Sequence, residues 1–119
     1  MPTKKKTAEA YIPLTPRTFH ILLALKDGVA HGYSIMKEVE ERSSGQVRIG
    51  PGTLYEAISR MVSAGLLKEV ATPAAFKRDR RRRRFYRVTA LGRKVMRLEA
   101  QRLAELVAYV RQEKLLAEG

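Results

Sequence analysis

The clearest hydrophobic pattern in the chain lies between Pro51 and Gly65, where apolar residues recur at the spacing of one helix face. Proline suits the first turn of a helix, and glycine suits the position just after its end. The apolar stripe consists of Leu54, Ala57, Ile58, Met61 and Val62. The opposite face carries Thr53, Glu56, Ser59, Arg60 and Ser63. The pattern therefore predicts an amphipathic helix over Pro51–Ala64 with a polar outer face.

Two shorter helices are predicted before it. The first opens at Thr15-Pro16, an N-cap followed by a first-turn proline, and it ends at Asp27-Gly28. The second covers Tyr33–Arg42 and ends at the breaker cluster Ser43-Ser44-Gly45. A short link then leads to the helix over Pro51–Ala64. Two short helices with a tight connection, the second with a polar outer face, predict a helix-turn-helix.

After Gly65 the pattern changes from helical to alternating. Leu67–Ala71 and Phe85–Val88 are predicted as two strands, with Tyr86 and Val88 on one face of the second. The segment between the strands is a strongly basic hairpin tip, and the hairpin completes a winged helix. The basic residues of this wing are Lys77, Arg78, Arg80, Arg81, Arg82, Arg83 and Arg84.

The arginine run of the wing has two interpretations: a solvated loop, or a surface that contacts an anionic partner. We favour the second, because consecutive arginines repel one another unless something anionic lies beside them. Guanidinium groups also suit phosphates and narrow minor grooves. On this interpretation the outer face of the preceding helix meets bases or phosphates. Its candidate contacts are Thr53, Tyr55, Glu56, Ser59 and Arg60.

The last helix is predicted to start at Thr89-Ala90-Leu91-Gly92 and to run to about Leu116. Its length would be ~40 Å, more than one small domain can cover. A short apolar stripe near its start suits packing on its own domain. A second, heptad-like set indicates a dimer seam, with packing on the first helix as the alternative. The seam consists of Met96, Ala100, Leu103, Leu106, Val107 and Val110.

Composition narrows the class of protein. The 119 residues carry a net charge of +12 at pH 7, which suits a polyanionic partner, and 45% of them are apolar, enough for one modest core. There is no cysteine, and His20 and His31 are the only histidines, so neither a metal site nor a catalytic constellation is expected. No apolar run is long enough to span a membrane. We expect a cytoplasmic protein without cofactor, metal or catalytic activity.

These elements predict a mainly α fold with a small β-hairpin, in which a winged helix-turn-helix precedes a long C-terminal dimerisation helix. Residues 1–10, which contain three consecutive lysines, are expected to form a disordered basic tail. The DNA-binding domain is expected to cover residues 11–89, and the dimerisation helix residues 90–119.

The sequence resembles the PadR family of transcriptional regulators, in the short form whose C-terminal part is little more than one helix. The resemblance covers nearly all of the chain from Tyr11 onward. The sequence motifs that carry it are His31-Gly32-Tyr33-Ser34-Ile35, Gly50-Pro51-Gly52-Thr53-Leu54-Tyr55, Gly65-Leu66-Leu67, and Arg83-Arg84-Phe85-Tyr86-Arg87-Val88-Thr89 with Gly92. Glu56 departs from the pattern, because many relatives carry proline at that position.

The resemblance implies a homodimeric repressor that binds double-stranded DNA at a palindromic operator and dimerises through its last helix. It also implies release of the DNA by a small hydrophobic or phenolic effector, although no aromatic cage or buried charge here identifies one. Tyr11, Phe19 and Tyr109 are the candidates to line an effector pocket, with core packing favoured for Phe19. The alternative function is that of a non-specific or structural basic nucleic-acid-binding protein, driven by charge alone.

Overall fold

The structure is a computed structural model that describes residues 6–79 and 83–117. Within these ranges, the chain forms four α-helices and a small three-stranded antiparallel sheet. The helices are α1 (Pro16–Ala24), α2 (Gly32–Arg42), α3 (Pro51–Ser63) and α4 (Ala90–Gln112). The strands are β1 (Ala30–His31), β2 (Leu67–Val70) and β3 (Phe85–Val88). The predicted mainly α, winged helix-turn-helix architecture is confirmed.

The ends of the helices follow the local sequence signals. The Thr15 side chain accepts a hydrogen bond from the Thr18 backbone N–H at 3.2 Å, so threonine caps α1 as predicted. Pro51 occupies the first turn of α3, and Gly65 adopts a φ of 81° just after that helix. Helix α1 ends at Ala24, earlier than the predicted stop at Asp27-Gly28, and a short turn fills the difference.

Strand β3 lies in the centre of the sheet. It pairs antiparallel with β2, where Leu67 is opposite Val88. On its other edge it pairs with β1, where His31 is opposite Phe85. The predicted hairpin is therefore correct but incomplete, because the two-residue strand β1 was not predicted. Phe85 and Tyr86 point to opposite faces of β3, and both are buried, Tyr86 in the hydrophobic core and Phe85 against the rings of His31 and Phe76.

One hydrophobic core joins all four helices to the sheet. Its fully buried members include Leu22 from α1, Ile35 from α2, Ile58 from α3 and Val95 from α4. The start of α4 approaches the backbone of the strand region closely. A Cβ on Gly92 would overlap the carbonyl oxygen of Leu66 and lie 2.7 Å from a methyl of Val88. Gly92 therefore permits the packing of α4, although glycine weakens the first turn of a helix.

The N-terminal segment is more ordered than the sequence suggests. Ala8–Tyr11 form a short 3-10 helix, and the Ala8 side chain is buried in the core. The Tyr11 hydroxyl donates to the carbonyl oxygen of Ala64 at 3.0 Å. The prediction of a disordered tail over residues 1–10 is therefore wrong for residues 8–10, because a small apolar side chain and a packed phenol attach them to the domain. Residues 1–5 lie outside the described ranges.

Helix α4 continues well past the core. Its 23 residues span about 34 Å, and it ends at Gln112, four residues before the predicted end. Lys114 then adopts a positive φ of 59°, which is incompatible with continued helix.

Candidate nucleic-acid interface

The outer face of α3 carries all five predicted contact residues on the surface. Thr53, Tyr55, Glu56, Ser59 and Arg60 are each exposed. Glu56 and Arg60 lie one turn apart and form an ion pair. Since an exposed pair of this kind contributes at most about 0.5 kcal/mol, the Arg60 guanidinium can exchange this partner for a base or a phosphate.

Tyr55 has a second role in the geometry of this face, although about half of its surface is exposed. Its ring lies against Gly32, the first residue of α2, so it spans the junction between the two helices of the helix-turn-helix. A Cβ on residue 32 would lie 2.6 Å from the Tyr55 hydroxyl oxygen. Gly32 at the start of α2 is thus matched to the tyrosine in α3. The two positions are distant in the chain, so the sequence pattern does not show this contact.

The wing follows a short 3-10 helix, Ala74–Phe76, in the connection between β2 and β3. Lys77 and Arg78, two of the predicted wing contacts, follow this 3-10 helix and are exposed. Arg84, on the other side of the tip, has 75% of its side chain exposed and lies 3.8 Å from the Glu69 carboxylate. The predicted contacts Arg80, Arg81 and Arg82 lie outside the described residues.

Arg83 differs from the other described wing cations because its side chain turns inward. Its Nη1 lies 2.8 Å from His31 Nε2, and its Nε lies 3.4 Å from an Asp79 carboxylate oxygen. Only 20% of the side chain is exposed, against 75% for the adjacent Arg84. The guanidinium thus already contacts His31 and Asp79 within the protein. This arrangement does not fit the predicted role of Arg83 as a phosphate contact.

His31 lies at the centre of this arrangement. Its ring makes edge-to-face contacts with Phe76 and Phe85, with ring centroids 5.8 and 5.4 Å away. Burial lowers the pKa of His31, the nearby Arg83 guanidinium lowers it further, and Asp79 acts in the opposite direction. The ring is therefore held neutral near pH 7. The His31-Gly32 motif is visible in the sequence, but no role for the histidine could be predicted from it.

The predicted dimer seam on α4 is divided between two environments. Met96 packs against the core of its own domain. Farther along, Leu106 and Val107 are exposed at 49% and 39% of their surface, which is high for large apolar side chains. Ala100 is also exposed, whereas Leu103 and Val110 are half-buried. The first half of α4 therefore packs within the chain, as the alternative to a dimer seam proposed. The second half exposes an apolar surface.

A buried ion pair marks the boundary between these halves, and sequence reasoning missed it. Glu99 is only 2% exposed, and its two carboxylate oxygens accept from Nε and Nη2 of Arg102 at 2.7 and 2.8 Å. The hydrogen bonding from Arg102 lowers the pKa of Glu99 most, and a backbone hydrogen bond from Leu14 lowers it further, against the effect of burial. This pair attaches α4 to the segment that precedes α1.

An open cavity of about 930 Å³ lies between the N-terminal segment, the C-terminal half of α3 and the start of α4. Its lining includes Tyr11, Ser59, Arg60, Ala64, Thr89 and Leu91. Of the three aromatic residues considered for an effector pocket, Tyr11 lines this cavity, whereas Phe19 and Tyr109 do not.

Over residues 6–79 and 83–117, no cluster of three or more histidine and carboxylate side chains could hold a metal ion. No helix in the same ranges is long and apolar enough to cross a membrane.

An exposed polar helix beside a basic wing, both attached to one small sheet, defines a winged helix-turn-helix transcriptional regulator. The chain belongs to the transcriptional regulator PadR-like family, whose profile matches residues 21–98. This finding confirms the resemblance seen in the sequence.

Two relatives share about a third of their aligned residues with this chain. The transcriptional regulator Rv3488 of Mycobacterium tuberculosis is 33% identical over 91 residues, which cover 76% of this chain and 78% of that protein. An uncharacterised 37.1 kDa protein of transposon TN4556 from Streptomyces fradiae is 34% identical over 86 residues. That match covers 72% of this chain but only 22% of the longer protein.

Solved structures share the fold. A transcriptional regulator from Clostridium thermocellum superimposes with a TM-score of 0.64 at 26% identity, covering 88% of this chain and 90% of that one. Bacillus subtilis PadR, solved in complex with operator DNA, superimposes with a TM-score of 0.60 at 17% identity. That superposition covers 70% of this chain and 45% of PadR.

Proposed function

We propose that this protein binds double-stranded DNA as a homodimer at a palindromic operator and thereby represses transcription. The observation that carries the proposal is the exposed polar face of α3 beside a basic wing, in a chain of net charge +12. In this motif the second helix of the helix-turn-helix enters the major groove, and basic side chains around it contact phosphates. Bacillus subtilis PadR, which has the same fold, has been solved with operator DNA.

The dimer is proposed from the second half of α4. Leu106 and Val107 expose apolar surface there, on the same side of the helix as the half-buried Leu103 and Val110. A second copy of the same surface, related by a two-fold axis, would cover it and form a self-complementary interface. Two α3 helices held in this way would reach successive major grooves on one face of the duplex, about 34 Å apart. The matching DNA sequence is an inverted repeat.

The proposed repression follows from occupancy, because a dimer seated on an operator excludes other proteins from the same DNA. Release by an effector would require a site coupled to α3. The 930 Å³ cavity is such a site, because Ser59 and Arg60 line it and also belong to the outer face of α3. Its lining combines the phenol of Tyr11 with apolar side chains such as Leu91. A small aromatic molecule suits this surface, and its binding would compete with DNA for the same two α3 residues.

The alternative function, non-specific nucleic-acid binding, makes a different prediction about sequence. Selection of bound DNA from a random pool, at about 0.15 M salt, separates the two. The proposed function predicts an enriched inverted repeat, bound about 10³-fold or more tightly than scrambled DNA. Equal affinity for selected and scrambled duplexes would support the charge-driven alternative. A failure to retain any DNA would contradict both.

A further inference from the structure

Glu56 is the residue of α3 whose side chain points most directly away from the core. The buried side chains of this helix are Leu54, Ile58 and Met61. Glu56 follows Leu54 by two positions and precedes Ile58 by two, and two positions correspond to about 200° of rotation around a helix. Its carboxylate therefore lies on the side opposite to the core, in the second turn of α3, and 63% of the side chain is exposed.

The side chains beside Glu56 on the outer face of α3 are short. One turn earlier, Gly52 has no side chain, and a Cβ atom there would meet no atom within 4 Å. Thr53 and Ser59 are short and exposed. Arg60, one turn later, is long, has 77% of its side chain exposed and forms the ion pair with Glu56. A base edge at the middle of this face would therefore meet the Glu56 carboxylate and the Arg60 guanidinium first.

A carboxylate at this place restricts which DNA the helix can bind. Its oxygens only accept hydrogen bonds, and they are repelled by phosphates and by acceptor atoms of the bases. In the major groove, guanine presents the acceptors N7 and O6, and thymine presents the acceptor O4 and a methyl group. The donors are the amino groups at cytosine N4 and adenine N6. The Glu56 carboxylate is therefore satisfied only where one of these amino groups lies against it.

Cytosine suits the carboxylate better than adenine does. Adenine presents the acceptor N7 beside its amino group, so the second carboxylate oxygen would meet another acceptor, whereas cytosine presents its amino group without one. Arg60 has the complementary chemistry, because a guanidinium donates to both acceptors of a guanine. The four positions between Glu56 and Arg60 span about 6 Å of helix, or about two base-pair steps. The two side chains should therefore contact different base pairs within that distance.

We propose that Glu56 is a specificity-determining residue, whose carboxylate accepts from the N4 amino group of one cytosine in each half-site and rejects guanine and thymine there. In the free protein Arg60 holds the carboxylate, in an exposed ion pair that contributes at most about 0.5 kcal/mol. On the operator the two side chains exchange each other for base edges. On other DNA the carboxylate faces acceptors and phosphates, which lowers non-specific affinity. This inference rests on the proposed function and adds the base that Glu56 reads.

The proposed role differs from one in which Glu56 only orients Arg60 through the ion pair. If Glu56 only oriented Arg60, its loss would weaken the preference for guanine at the base pair that Arg60 contacts. In the proposed role, its loss changes the preference at another base pair. The base pair that Arg60 contacts is located independently, as the position at which Arg60→Ala loses its preference.

The test compares DNA selected from a random pool by the parent chain, Glu56→Gln and Arg60→Ala. The parent should prefer cytosine over guanine or thymine at one position of each half-site, by roughly five- to 150-fold. Glutamine donates as well as accepts and suits adenine, so Glu56→Gln should accept all four bases there within about fivefold, with adenine at least equal to cytosine. Its amide oxygen still accepts from cytosine, so it should retain the parent's affinity for the parent's duplex.

Glu38→Gln is the matched control. Glu38 forms the same kind of ion pair with Arg42, one turn later on α2, and 40% of its side chain is exposed. This variant removes the same charge from another helix, so it should keep every base preference of the parent. Circular dichroism checks that each variant has the parent's helical content.

Three results would overturn the proposal. They are an unchanged base preference in Glu56→Gln, a change confined to the base pair that Arg60 contacts, and the same relaxation in Glu38→Gln, which would make charge alone the cause. In each case the parent still enriches an inverted repeat, so the proposed function stands while this inference fails. If the parent enriches no sequence, the proposed function fails and this inference fails with it.

Discussion

The Tyr55 ring packs directly on Gly32 at the junction of α2 and α3, so that a Cβ atom on residue 32 would lie 2.6 Å from the Tyr55 hydroxyl oxygen and 2.8 Å from its Cζ. The absence of a side chain at the start of α2 thus determines where the Tyr55 side chain of α3 lies. Because Tyr55 is half exposed, the ring can move away if the space is filled. Crowding at this position should therefore affect binding more than folding.

Gly32→Ala should displace the Tyr55 ring and weaken DNA binding, with little change in the free energy of unfolding. The strain of moving the ring opposes the gain in helix propensity, which is up to about 1 kcal/mol for this replacement. In a Tyr55→Ala background the strain is absent, so Gly32→Ala should stabilise the protein and leave DNA affinity unchanged. Denaturant titrations and DNA titrations of the four proteins test this coupling. Additive effects on affinity would contradict the proposed role of the contact.

Arg60→Ala should weaken binding to the selected duplex by about 1–3 kcal/mol if its guanidinium pairs with a guanine, and should affect scrambled DNA much less. Glu56→Gln is the matched control, because it breaks the same ion pair but leaves Arg60 available. That variant should bind all DNA at least as tightly as the parent, since a negative charge has left the surface. Equal loss on every sequence in Arg60→Ala would mean that Arg60 contacts only a phosphate.

Helix boundaries and the main strands could be predicted because their signals are local. Thr15-Pro16, Pro51 and Gly65 each act through the conformation of their own residues, and α1 and α3 begin where these signals place them. The outer face of α3 was predictable for the same reason, since one apolar stripe determines which side is buried.

The features that were missed depend on distant partners. Strand β1 has only two residues and exists because β3 pairs with it. Arg83 was grouped with the other wing arginines by composition, but its environment is determined by His31, 52 residues away. Glu99 looks like an ordinary exposed helix residue in the sequence, and it is buried because Arg102 and the Leu14 backbone satisfy its carboxylate.

Gly92→Ala should destabilise the protein by about 1–3 kcal/mol or more, since the added methyl would meet backbone that cannot move aside. Gly52→Ala provides the control, because a Cβ there meets no atom within 4 Å in the first turn of α3. It should be neutral or stabilising by up to about 1 kcal/mol. Denaturant midpoints of the two variants check the contrast. Equal stability would mean that α4 does not approach Leu66 as closely as the structure has it.

Leu103→Glu combined with Val107→Glu should convert the proposed dimer to a monomer that keeps its helical content. Each large apolar side chain fully buried at the seam contributes about 1.5–3 kcal/mol, and the winged domain has its own core. Gln101→Glu combined with Ala108→Glu adds charge at exposed positions away from the seam and should remain dimeric. Sedimentation velocity and circular dichroism measure both properties. A double seam variant that stays dimeric would place the interface elsewhere.

The proposed function requires that two copies of α3 read two half-sites on one face of the DNA. Hydroxyl-radical footprinting on the selected duplex tests it most directly, with the parent protein and the Leu103→Glu, Val107→Glu variant side by side. The proposed dimer should protect two half-sites, related by a two-fold axis and centred one helical turn, ~34 Å, apart. The variant should protect both much more weakly at equal concentration. Protection of a single half-site by the parent, or equally strong protection by a monomeric variant, would contradict it.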